Sequence, residues 1–197
     1  MCGQFVSISA DELRDICKSA DRNTSADEMT LMKKEGEIRP TDTVPVITAP
    51  EMFRPMQWGF TQTGKKQRVI NARSETIMER PMFHQAALRR RCLIPCNGFF
   101  EWDKQGRKFL YHSLGRGVMY LAGLWQEDSG VRRPTFTILT RDAVGDMLEI
   151  HDRMPIIVPP ELIDTWLLQP SKIAEVLQMA VTEIGIEPVG DHQLSFF

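Results

Sequence analysis

The cysteine at position 2, in Met1-Cys2-Gly3-Gln4-Phe5, has the most distinctive chemistry available to this chain. Removal of the initiator methionine would make it terminal and give it two nucleophiles on adjacent carbons, a thiol and a free α-amine. Their unperturbed pKa values are about 8.5 and about 7.7–8.0, so both are partly deprotonated near neutral pH. The amine can attack an aldehyde to give a Schiff base, and the neighbouring thiol can then add to the imine carbon. The product is a five-membered ring of N, Cα, Cβ, S and the former aldehyde carbon. An internal cysteine cannot close this ring, because its nitrogen is an amide. The plain alternative is a terminal thiol with no task.

Three later residues could move protons or orient a substrate beside such a nucleophile. Glu101 lies in Phe99-Phe100-Glu101-Trp102. If it points inward, burial raises its pKa and makes it a general acid/base; if outward, it is a solvated acid. His151 precedes Asp152-Arg153, and histidine is the side chain suited to proton transfer near pH 7, though it can equally be structural. Asn71 could present its amide to a sugar hydroxyl, an oxyanion or an amine, or simply serve a turn. Arg73, Arg80 and Arg153 lie close in sequence to Asn71 or His151, and guanidinium forks suit phosphate. Trp58 and Trp102 are candidates for stacking on bases if exposed, and for the core if not.

These residues must be delivered by secondary structure. Residues 2–8 read as a short strand. Ser9-Ala10-Asp11-Glu12 and Ser25-Ala26-Asp27-Glu28 have capping-box spacing, which predicts helices over 10–19 and from about 26 to 34. Glu35 to Asp42 reads as loop. Val44 to Thr48 reads as a strand that Pro45 would confine to a sheet edge. Thr61 to Arg68 is a basic connector, and 69–76 is an apolar lead ending in a polar cluster. A helix from Phe83 ends in Arg89-Arg90-Arg91, whose cations suit either the helix C-terminus or a phosphate. Cys92 to Trp102 reads as a strand broken by Pro95 and Asn97-Gly98. Strands follow at 108–112, 119–124 and 134–139, then a short helix over 142–148, a strand at 156–158, helices at 160–168 and 171–180, a strand over 182–189 and a loose tail. Strands outnumber helices and mostly follow one another. That predicts an α+β fold, one compact domain over 1–197, with a central antiparallel, barrel-like sheet flanked by helices.

Composition bounds the partners. The chain has 197 residues, 42% apolar and 25% charged, with a formal net charge of −2. That is ordinary for a globular domain and argues against a protein that coats nucleic acid through its total charge, while allowing a local basic face. No apolar run approaches the ~18 residues of a membrane span. The early Asp11, Glu12 and Asp15 do not suit a signal peptide, which predicts a cytosolic protein, or a nuclear one if eukaryotic. Cys2, Cys17, Cys92 and Cys96 are expected as free thiols, and the spacing of Cys92 and Cys96 without a second pair predicts no metal site.

Five segments in order, MCG at the start, NARSET at 71–76, RRRCLIP and GFFEW within 89–102, LAGLW at 121–125 and HDRMPIIV at 151–158, closely resemble the SOS response-associated peptidase (SRAP) family. The likeness covers essentially the whole chain. It implies a Cys2 freed of Met1, by autoproteolysis or with assistance, that captures the aldehyde of an abasic site in single-stranded DNA. The adduct would be a thiazolidine DNA–protein crosslink that shields the lesion during the DNA damage response. By resemblance Asn71 positions the sugar, Glu101 handles protons in Schiff-base and ring formation, and His151 assists proton transfer, including reversal. Arg73 and Arg153 would hold flanking phosphates, with Arg80 and Pro40 also at the DNA and Trp58 stacked on a base. The resemblance implies no cofactor, a monomer, and a bacterial cytoplasmic protein found at the nucleoid when it holds DNA. The alternative is an N-terminal-nucleophile cysteine peptidase using Cys2, Glu101 and His151. Three departures stand out: Gln4 where the family has arginine, a thiol at Cys96, and an altered loop over 37–42. They put a phosphate contact or ion pair, an oxidation-sensitive groove and the DNA junction in question.

Overall fold

The twelve-residue strand Arg91–Trp102 is the spine of the molecule. In the computed structural model, which describes residues 2–21, 24–33, 35–62, 64–127 and 133–190, it is continuous and does not break at Pro95 or Asn97-Gly98. Those residues mark a change of partner instead. Arg91 to Cys96 pairs with Met119–Gln126, Cys96 to Phe100 with Gln4–Ser7, and Phe99 to Trp102 with Lys108–His112. The register with Gln4–Ser7 shifts at Asn97, a bulge that lets one strand turn between neighbours. Gly98 is required there: a Cβ would stand 2.6 Å from the carbonyl oxygen of Tyr111.

Five strands close into a ring. Arg91–Trp102 pairs with Met119–Gln126, that with Thr135–Asp142, that with Met52–Trp58, that with Thr43–Ala49, and the last returns to the spine at Ile47 opposite Leu93. The sheet is barrel-like and mostly antiparallel. Thr135–Asp142 runs parallel to both Met52–Trp58 and Asn71–Arg73, and the short strand Ser19–Ala20 runs parallel to Met52–Trp58. Thr43–Ala49 is not an edge strand. Pro45 faces Pro55 on one side, and on the other the strand meets the spine only at Ile47, so the proline lies outside that ladder.

Side-chain alternation splits the core in two. Val46, Met56, Trp58, Cys92, Ile94, Leu121, Phe136 and Ile138 fill the ring's interior with Cys2 and Phe5. Ile47, Phe53, Leu93, Ala122, Leu124 and Leu139 face outward, where Leu13, Phe83, Ala87, Trp166 and Val176 of the helices cover them. A strand buried on both faces shows no polar alternation, which is why the spine reads as a near-continuous apolar run.

The helices follow their caps. Ser9 and Ser25 each complete a capping box with Glu12 and Glu28, opening Ala10–Ile16 and Ala26–Thr30. Pro81–Arg89 is helical, and the arginines at its end divide in role. Arg89 is exposed. Arg91 is buried and donates to the carbonyls of Ala87 and Leu88 and to those of Trp166 and Leu167, so one guanidinium caps the C-termini of two helices. The basic stretch 61–68 is a two-stranded hairpin, Phe60–Gln62 with Lys65–Val69, rather than a connector. The segment 142–148 forms a 3-10 turn, Gly145–Glu149. The tail expected to be loose, from 191 onward, lies outside the described residues.

Candidate functional site

Position 2 is threaded into the ring's interior. Pairing of Gln4 with Phe100 fixes the register of the first strand against the spine and brings the start of the chain alongside Glu101. Cys2 is fully buried. Its carbonyl oxygen accepts a hydrogen bond of 2.8 Å from Nδ2 of Asn71. Burial pushes the Cys2 thiol well above its ordinary value, and the charge of Glu101 and the Cys96 thiol push the same way.

Asn71 is held in place through its neighbour. The carbonyl of Ile70 accepts from both the indole N–H of Trp58 and the backbone N–H of Ile138, each at 3.0 Å. Trp58 is itself fully buried, 5.1 Å from the ring of Phe5 and 6.2 Å from that of Phe136. The expectation that Trp58 stacks on a base is therefore corrected: it anchors the strand that carries Asn71. Trp102, by contrast, is 39% exposed.

Glu101 points inward and is 3% exposed. Burial raises its carboxyl above the usual range, opposed by the nearby His151 and reinforced by Asp152. Tyr111 lies on the same face of the adjoining strand, stacked on Phe99 with centroids 4.9 Å apart. Its hydroxyl is buried and has no hydrogen-bond partner among the described residues, and the same holds for Oδ1 of Asn71. Two unpartnered polar atoms in one interior are costly unless a ligand or water meets them.

His151 follows the turn Gly145–Glu149, its N–H bonded to the carbonyl of Met147. Its Nδ1 lies 3.0 Å from the backbone N of Arg153 and 2.8 Å from Oδ1 of Asp152. Arg153 departs from its expected role. Its guanidinium is buried and donates to both carboxylate oxygens of Glu75, to Asp142 and to the carbonyl of Thr140, so it clamps three segments together instead of presenting a fork to phosphate. That clamp holds the Glu75 carboxyl below its usual range. Arg73 and Arg80 are exposed, and Pro40 is half-buried.

The structure thus brings Cys2, Asn71 and Glu101 together, with His151 near enough for its charge to act on Glu101. Sequence reasoning missed Glu75 and Tyr111. Glu75 stands in the polar cluster at 71–76, where an arginine partner could have been sought; Tyr111 carries no local signal, because only strand pairing puts it beside Glu101.

Two departures prove quiet. The side-chain amide of Gln4 donates to Glu37, which also takes Nζ of Lys108 at 2.5 Å, so the network closes without an arginine at position 4. Cys96 is fully buried, and burial pushes its thiol up to about 12, so it is no exposed oxidation site. In the altered loop, Thr41 takes a left-handed φ of 79°, and Asp42 secures the turn by accepting from the backbone N–H of Arg39 and Nζ of Lys33.

Comparison with known proteins agrees with this architecture. The sequence profile of the family described as SOS response associated peptidase (SRAP) matches residues 1–192, and the chain belongs to that family. Among its relatives, the Abasic site processing protein YoaM of Bacillus subtilis is 30% identical over 152 residues, 71% of this chain and 67% of that one. The Abasic site processing protein YedK of Escherichia coli is 31% identical over 134 residues, 65% of this chain and 60% of that one. A crystal structure of a Bordetella bronchiseptica protein superposes with a TM-score of 0.77 at 19% identity, covering 96% of this chain and 100% of that one, which shows the fold. No helix among the described residues is long and apolar enough to cross a membrane.

Proposed function

We propose that this protein captures abasic sites in single-stranded DNA as a covalent thiazolidine through Cys2, once Met1 has been removed. The observation that carries the reading is the surrounding of Cys2: Asn71 on its carbonyl, a buried Glu101 whose charge reaches its thiol, and unpartnered acceptor and hydroxyl groups on Asn71 and Tyr111. The names of the relatives, abasic site processing proteins, point to the same substrate.

The chemistry follows from these groups. The α-amine adds to the aldehyde carbon of the ring-opened sugar, giving a carbinolamine. Glu101, whose proton affinity burial raises, donates to the carbinolamine hydroxyl, which leaves as water. The nitrogen loses its remaining proton to the Glu101 carboxylate, directly or through His151, and the C=N bond is complete. The Cys2 sulfur then adds to the imine carbon while its proton passes to the nitrogen, closing the ring. Oδ1 of Asn71 accepts from a sugar hydroxyl. Arg73 and Arg80 meet the flanking phosphates. The protein acts as a monomer in the cytoplasm, at the nucleoid when it holds DNA.

A cysteine peptidase needs a thiolate that attacks first, and burial works against a thiolate at Cys2. An aldehyde trap begins at the amine and uses the thiol in an intramolecular step, which a neutral thiol tolerates better.

The test is intact-mass analysis and a denaturing gel with single-stranded DNA carrying one abasic site. The expected result is a heat-stable adduct from protein lacking Met1, lost in Cys2→Ala and lost when one extra residue precedes Cys2. An adduct that survives the extra residue would sink the amine-first reading.

A further inference from the structure

The chemistry above gives Tyr111 no task, yet its hydroxyl is buried with no hydrogen-bond partner among the described residues. A phenol so placed has left water and gained nothing in return. Its strand leaves it little freedom. Lys108–His112 lies between the spine and Gly185–Pro188, with Tyr111 opposite Phe99 on one side and Ile186 on the other. Its ring stacks on that of Phe99, within 7° of parallel. Glu101 stands opposite Phe109, so Glu101 and Tyr111 are diagonal neighbours on one face of the same antiparallel pair. Such diagonals are about 7–8 Å apart, within reach of an aromatic and a long acid. Tyr111 shares its apolar interior with Cys2, and Glu101 is buried beside it. We infer that Tyr111 is a positioning residue for Glu101: its O–H donates, through one bridging water, to the Glu101 carboxylate whenever Glu101 has given its proton to the reaction.

The phenol suits that task because it stays a donor. Burial, and then the charge of Glu101, push it above its ordinary value, so it keeps its proton while the acid beside it changes state. A water that accepts from Tyr111 and donates to Glu101 satisfies the hydroxyl without displacing either side chain. The other titratable groups around Glu101 cannot hold its charge steadily. The terminal amine and His151 draw its carboxyl down against burial, Asp152 pushes it up, and its charge in turn raises the Cys2 thiol. The amine and the imidazole both titrate near neutral pH. The amine and the thiol are, in addition, consumed when the ring closes. Tyr111 alone among these groups neither titrates in that range nor reacts. The kinetic consequence rests on the proposed Cys2 chemistry; the contact between Tyr111 and Glu101 does not.

The experiment is a carboxyl 13C titration of Glu101 in the wild type and in Tyr111→Phe, with the Glu101 signal identified by its loss in Glu101→Gln. Phenylalanine keeps a ring on Phe99 and removes only the hydroxyl. Losing a donor to the charged form favours the protonated form, so Glu101 should titrate at higher pH in Tyr111→Phe. Crosslinking to abasic single-stranded DNA, measured where Glu101 is protonated in both proteins, should slow about tenfold, the low end for a hydrogen bond to a charged group. A Glu101 titration that is unchanged or moves down in Tyr111→Phe overturns the inference; a lowered Tm beside that unchanged titration marks Tyr111 as packing alone. The upward shift in a protein whose wild type makes no crosslink would overturn the Cys2 chemistry and leave the Tyr111 assignment supported.

Discussion

The side-chain amide of Asn71 donates to the carbonyl oxygen of Cys2 at 2.8 Å, across 69 positions of sequence. That bond ties the site to the barrel, because Asn71 belongs to a strand paired parallel with Ile138–Thr140 and Cys2 leads into one paired with the spine. Asn71→Ala should cost about 1 kcal/mol of stability, one hydrogen bond. Its effect on crosslinking should be larger, about 10²-fold, if the amide also orients the sugar. Thermal melts and single-turnover crosslinking rates measure the two separately.

Glu101 makes a prediction in pH. Its folded-state pKa is raised by burial, so between the ordinary carboxylate value and the raised one the folded chain holds a proton that the unfolded chain has lost. Stability from this group therefore falls as pH rises through that window. Glu101→Gln should melt higher than wild type near pH 8, with the gap closing below about pH 4, where both states are protonated. The same variant should lose crosslinking by about 10²-fold or more. Melting curves from pH 4 to pH 8 check the sign; a gap that widens in acid would contradict it.

Arg153 and Arg73 should separate stability from binding. Arg153→Ala breaks contacts to Glu75, Asp142 and Thr140. The stranded carboxylates are partly exposed and can be hydrated, so the loss should be about 2 kcal/mol, or roughly 4–8 °C in Tm. Arg73→Ala should leave Tm within about a degree, because an exposed side chain is rarely worth more. It should weaken binding to single-stranded DNA and reduce the slope of log K against log salt by about 0.7. Equal melting losses in the two variants would refute the division.

Gly98 is predicted to resist substitution. A Cβ there would stand 2.6 Å from the Tyr111 carbonyl and 2.7 Å from Leu110 Cδ1. Gly98→Ala should destabilise by about 1–3 kcal/mol through overpacking. Because the bulge at Asn97 aims the strand that carries Glu101, crosslinking should slow even at temperatures where the variant remains folded.

The sequence by itself determined the family and the local punctuation. A cysteine at position 2 has the groups to close a thiazolidine once Met1 is removed, and the segments around Asn71, Glu101 and His151 marked the family. Ser9–Glu12 and Ser25–Glu28 opened the expected helices because a capping box is satisfied within four residues. Only tertiary structure decided which way the arginines and tryptophans face. Arg153 and Arg91 resemble anion-binding residues in sequence, yet each finds its acceptors on segments distant in the chain: Glu75 for one, Trp166 and Leu167 for the other. Trp58 could have stacked on a base until Phe5 and Phe136 enclosed it. The physical reason is that composition sets what a side chain can bind, whereas burial and partners depend on which strands become neighbours. In this ring those neighbours are set by long-range pairings that no local window contains.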